Sequence, residues 1–70
     1  MASMSQILMT KKQWKAAGPR TQGYILYMQA ELPGSELAGL SNPYREGTEQ
    51  YEEFRKGEMA AVLEVQDFDD

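Results

Sequence analysis

The apolar positions recur at helical spacing in three stretches, separated by glycine and proline. The clearest lies near the C-terminus: Phe54, Gly57, Ala61, Val65 and Phe68 fall three and four apart on one stripe, among polar and charged neighbours. That spacing predicts an amphipathic helix. Thr48 is its expected N-cap, and Glu49, Glu52 and Glu53 follow in the first turns, where carboxylates suit the positive end of the helix dipole. The predicted helix spans 49–65. Gly57 inside it costs about 1 kcal/mol relative to alanine, a cost that makes sense where another helix must approach closely.

A second apolar set, Tyr24/Ile25, Tyr27/Met28 and Leu32, also recurs at helical spacing. Tyr24, Leu26, Met28, Ala30 and Leu32 alternate at period two as well, so a strand competes over 24–32. Helix is favoured because Leu, Met, Gln, Ala and Glu dominate and only Ile25 is β-branched. The expected helix runs over 22–32, capped by Thr21 and stopped by Pro33-Gly34. Lys11 to Ala17 forms a shorter candidate ended by Gly18-Pro19. Trp14, the sole tryptophan, is expected to pack its indole on the second half of the chain while lysine stems cover it.

Between the second and third stretches, Ser35 to Leu40 reads as a single capped turn closed by Gly39. Asn42-Pro43 then makes a turn, and Gly47 gives a permissive backbone before Thr48. The fold class is therefore all-α: one small helix–loop–helix domain over 11–66, with a flexible segment 1–10 and a frayed acidic tail 67–70. A chain of 70 residues buries only about 60% of its unfolded surface. It has no cysteine and no histidine, so disulfides and structural zinc cannot compensate. A homodimer is expected on that ground, through the stripe of Tyr51, Phe54, Gly57 and Ala61, which otherwise serves as core.

Charge is polarised. Residues 1–30 hold Lys11, Lys12, Lys15 and Arg20 and no acid, a sum of +4, whereas residues 31–70 hold three basic residues against eleven acids, 3 − 11 = −8. The acidic half disfavours binding of free DNA. No segment approaches the roughly 20 apolar residues of a membrane span, and no signal-like run opens the sequence. A cytoplasmic protein is expected, without a membrane partner.

The residues exclude most catalytic chemistry. Without histidine or cysteine there is no Ser–His–Asp or Cys–His arrangement. No phosphate-cradling glycine loop is present, and no metal or cofactor is expected. Glu49, Glu52, Glu53 and Glu58 read as a solvated helix face rather than paired catalytic carboxylates, with Glu52 and Lys56 spaced for an i,i+4 ion pair. Trp14, Tyr24, Tyr27, Tyr44, Tyr51 and Phe54 could stack on RNA bases, but at helical spacing they read first as core. Tyr44, in a proline-containing turn, is the best candidate interface anchor among them.

Gly23-Tyr24, Asn42-Pro43-Tyr44, Phe54-Arg55 and Gly57-Glu58 with Ala60 resemble the ribosome modulation factor family and the small, often prophage-borne proteins grouped with it. The resemblance covers residues 23–61. It implies a Gly-Tyr helix leading through a Pro-Tyr corner to a second helix with an aromatic-x-x-Gly step, and it implies binding to the small ribosomal subunit. That factor is strongly basic, whereas the matching stretch here is acidic. The first functional expectation is therefore a non-enzymatic bacterial or phage regulator that binds and modulates or inhibits a host macromolecular partner, such as a host protein, through an acidic helix and a Pro-Tyr corner. Its contacts would be Tyr44, Arg45, Glu49, Glu52, Glu53 and Lys56. The second is a ribosome-associated modulator holding ribosomal RNA through Lys11, Lys12, Lys15 and Arg20.

Overall fold

Three helices follow one another: α1 (Lys11–Ala16), α2 (Pro19–Gln29) and α3 (Glu49–Phe68). The structure, a computed structural model, describes residues 8–68, and no strand occurs among them. Over 24–29 helix wins over the strand alternative, and 30–32 lie in the turn that follows. What was expected of residues 1–7 and 69–70 lies outside the described residues.

The helix boundaries follow from their caps. Thr10 and Gln13 form a capping box at the start of α1: the Gln13 N–H donates to Thr10 Oγ1 at 3.1 Å, and the Thr10 N–H donates to Gln13 Oε1 at 3.0 Å. The Met9 N–H donates to Gln29 Oε1 at 2.9 Å, so the expected flexible segment is already tied down at Met9 and Thr10. α2 starts three residues earlier than expected, with Gly18 as N-cap and Pro19 in the first turn. The pre-set φ of proline suits that position, and its missing N–H would have had no helical partner there. Thr21 is an exposed residue within the helix, not its cap. At the other end α2 stops at Gln29, and residues 30–35 continue in turns joined by Leu32 N–H to Gln29 O and Ser35 N–H to Leu32 O.

Thr48 caps α3 as expected: its Oγ1 accepts from the Tyr51 N–H at 3.2 Å and donates to Arg45 O at 2.7 Å. Gly47 enters this cap at φ 92°, a left-handed conformation that glycine adopts without the Cβ penalty. The helix then continues through Asp67 and Phe68, beyond the expected end at 65.

α2 and α3 are the principal packed pair, and they meet at two glycines. A Cβ on Gly23 would lie 2.0 Å from Phe54 O, and a Cβ on Gly57 would lie 2.0 Å from Arg20 O. Each helix thus presents a bare backbone position to a carbonyl of the other. The close approach inferred from Gly57 is real, but α2 of the same chain makes it. The stripe expected to form a dimer is therefore interior. Phe54 and Ala61 are fully buried, Gly57 is buried, and Tyr51 is half-buried. Beyond Ala61 the stripe runs out of cover, and Val65 is exposed.

Phe54 centres the core with Trp14, Leu26 and Leu37. The Trp14 and Tyr44 rings each meet Phe54 edge-on, with centroids 6.3 Å away. Leu37 comes from the turn between α2 and α3, where the Leu37 N–H donates to Ser35 Oγ at 3.1 Å. Gly39 closes this turn at φ 84°. The loop thereby acts as a lid, lowering one fully buried leucine onto the helix pair.

Replacing Phe54 by alanine should cost about 3–5 kcal/mol, comparable to the whole stability of a core this small. Circular dichroism and Trp14 fluorescence should show a largely unfolded chain. A variant melting within a few degrees of the parent would show that Phe54 is not the centre of the core.

Candidate functional site

The Pro-Tyr corner is built from the inside out. Asn42 Oδ1 accepts from the Tyr44 N–H at 3.0 Å, an Asx turn that fixes the backbone around Pro43. Asn42 Nδ2 reaches Tyr51 O in α3 at 3.4 Å. The Tyr44 hydroxyl donates a short hydrogen bond to Gln22 Oε1. Gln22 is 2% exposed, and its amide nitrogen donates to Trp14 O at 2.8 Å. The Trp14 indole N–H returns to Gln22 O at 3.0 Å. One buried amide thus joins α1, α2 and the corner, and every polar side-chain atom buried among the described residues is satisfied.

Tyr44, the expected partly exposed interface anchor, is also braced from within. It is half-buried, with its ring against Phe54 and its hydroxyl turned to Gln22. What the corner presents to solvent is Arg45, Glu46 and the opening turns of α3. Glu49 and Glu52 are exposed there, and Glu53 is half-buried. Lys56 pairs with Glu53 at 3.4 Å instead of with Glu52. The half-buried Glu53 is the better-held partner, and an exposed pair of this kind contributes little to stability. Glu46, Glu49 and Glu52 have no ion pair among the described residues.

Lys11, Lys12 and Lys15 are exposed on α1, and Arg20 is exposed on α2. The Lys11 backbone N–H donates to Glu36 Oε1 at 2.9 Å and ties α1 to the loop. No group of three or more acidic residues is placed to hold a metal ion among the described residues. None of their helices is long and apolar enough to cross a membrane.

A surface that the sequence reading passed over lies along α3 where Tyr27 of α2 adjoins it. Tyr27, Met59 and Leu63 are exposed, and Tyr27, Arg55, Glu58, Met59 and Val62 line an open cleft of about 240 Å³. Its signal was the spacing 55, 59, 62, 66, a second helical stripe beside the one built on Phe54.

No family model matches the chain, and no curated protein or solved structure was found to be similar to it. The likeness to the ribosome modulation factor family rests on its short motifs alone. Several of those residues have packing duties here: Gly23 and Gly57 at the helix contact, Tyr44 and Phe54 in or against the core.

Tyr24 also spans the helix pair, its hydroxyl donating to Glu64 at 2.6 Å. The hydrogen bond to this carboxylate raises the Tyr24 pKa above 10.0, aided by burial and by the Glu64 charge. A raised folded-state pKa means that the contribution is fully present below the unfolded value. It is lost as pH rises through the folded value. In a tyrosinate absorbance titration, Tyr24 should ionise later than an ordinary tyrosine, and Glu64→Gln should bring it back toward 10. An unchanged titration in that variant would show that the contact does not persist in solution.

Proposed function

We propose that this protein is a non-enzymatic bacterial or phage regulator that binds a host protein and inhibits it. The acidic opening of α3 and the adjoining Pro-Tyr corner form the contact surface. The observation that carries this reading is the free set of carboxylates Glu46, Glu49 and Glu52, all exposed beside a corner braced from within. Segment 45–53 holds Arg45 against Glu46, Glu49, Glu52 and Glu53, a sum of 1 − 4 = −3. Such a surface complements a basic one, of the sort that proteins use to hold nucleic acid, and speeds encounter with it. Tyr44 contributes by holding the corner in place, while Arg45 and Lys56 sit at the margin of the acidic face.

The second reading is ribosome-associated modulation through Lys11, Lys12, Lys15 and Arg20. It is favoured by their common exposure and by the separation of positive charge into the first 30 residues. Phosphate contacts made by these side chains would weaken steeply with salt.

Charge reversal separates the two. Glu49→Lys with Glu52→Lys should abolish capture of a protein partner from bacterial lysate, while Lys11→Glu with Lys12→Glu and Lys15→Glu should leave it intact. Both sets lie on exposed positions, so circular dichroism should confirm that each variant folds. Ribosomal particles captured by the parent and lost only in the lysine variant would favour the second reading. Unchanged capture in both sets would contradict both readings.

A further inference from the structure

We propose that the cleft between the C-terminal end of α2, the loop that follows it and the middle of α3 binds a small organic cation, an apolar body carrying one protonated amine. The cleft holds about 350 Å³ and is lined by Leu26, Tyr27, Ala30, Glu31, Leu40 and Glu58. Clefts that hold small ligands span roughly 300–1,000 Å³. Three elements build this one. Leu26 is buried in α2, Ala30 is the C-cap of that helix, and Leu40 enters half-buried from the loop. Together they give an apolar wall, which suits an alkyl or aryl group and not a bare metal ion. Tyr27, 47% exposed, adds an aromatic ring, a surface that attracts cations.

Charge selects the sign of the occupant. Glu31 is exposed just past α2, and Glu58 is half-buried on α3. Neither carboxylate has an ion pair or hydrogen bond among the described residues. The end of α2 adds to their field: its last turn holds no basic residue, and a helix C-terminus carries partial negative charge. Ala30 and Glu31 stand at that end. No basic side chain is among the lining residues, since Arg55 borders the adjoining cleft, which shares Tyr27 and Glu58. An anion would meet both carboxylates and the helix end, and a neutral molecule would leave them uncompensated. The cleft shares no residue with the acidic opening of α3 assigned to a host partner, so either proposal can fail without the other.

Phenethylammonium is the probe, with phenylethanol and phenylacetate as its neutral and anionic counterparts. In amide NMR titrations of the full chain, phenethylammonium should move the resonances of Leu26, Ala30 and Leu40 in a saturable way. The alcohol should bind about fivefold more weakly, the weight of one ion pair in water, and phenylacetate more weakly still. Glu31→Gln and Glu58→Gln should each weaken the cation by about fivefold while leaving the alcohol unchanged. Added salt should weaken the cation as well. Both substitutions keep the side-chain shape, and the amide spectra should confirm that each variant folds. Absence of saturable shifts would overturn the proposal, as would equal binding of the alcohol or indifference to both glutamine substitutions. Shifts of the same resonances on raising protein concentration alone would show that a second copy covers the cleft, and would overturn it too.

Discussion

Everything else in this fold depends on how closely α2 and α3 approach at Gly23 and Gly57. Helices packed through larger side chains keep their axes roughly 8–10 Å apart, and the gap must then be filled with apolar volume. Here the filling is sparse. At the contact, each glycine faces a backbone carbonyl of the other helix with nothing but hydrogen, a geometry in which weak Cα–H···O contacts recur. The two glycines cost helix propensity, about 1 kcal/mol each, and in return they let a single phenylalanine reach across the pair and stay fully buried.

That closeness also explains the polar centre. With α2 held against α3, Gln22 lies enclosed, and a buried amide is tolerable only when its hydrogen bonds are made. Trp14 and Tyr44 make them, and in doing so fix α1 on one side and the Pro-Tyr corner on the other. The corner in turn sets where α3 begins and which carboxylates of its first turns face solvent. The proposed contact surface thus depends on an interior network that contains none of its own charges.

α3 was legible in the sequence because a threonine cap, acidic first turns and a three-four stripe all agree there. α1 was legible from its proline stop. The start of α2 was not, since Thr21 looked like a cap while Pro19, usable in a first turn, looked only like a breaker. Gly57 announced a close contact but not its partner, because periodicity places a residue on a face without saying what covers that face. Leu37 left no periodic signal at all: its burial comes from a loop folding back. Gln22, polar at a buried position, runs against the pattern for the same reason that Tyr44 turned inward: each satisfies the other. Met59 and Leu63 were hidden by the stronger stripe on the opposite side of their helix. At the candidate site, the exposure of Glu49, Glu52 and the three lysines followed from composition, while the inward role of Tyr44 required the tertiary contact.

The most direct test of the glycine contact is urea unfolding of Gly57→Ala, followed by Trp14 fluorescence. On propensity alone this substitution stabilises a helix by about 1 kcal/mol. With Arg20 O 2.0 Å from the new Cβ and backbone on both sides, the helices must separate, and overpacking of this kind costs typically about 1–3 kcal/mol. The account predicts a lower urea midpoint than the parent and a loosened core around Trp14. A midpoint raised by the full propensity gain, with unchanged fluorescence, would show that α2 and α3 are not locked at their glycines.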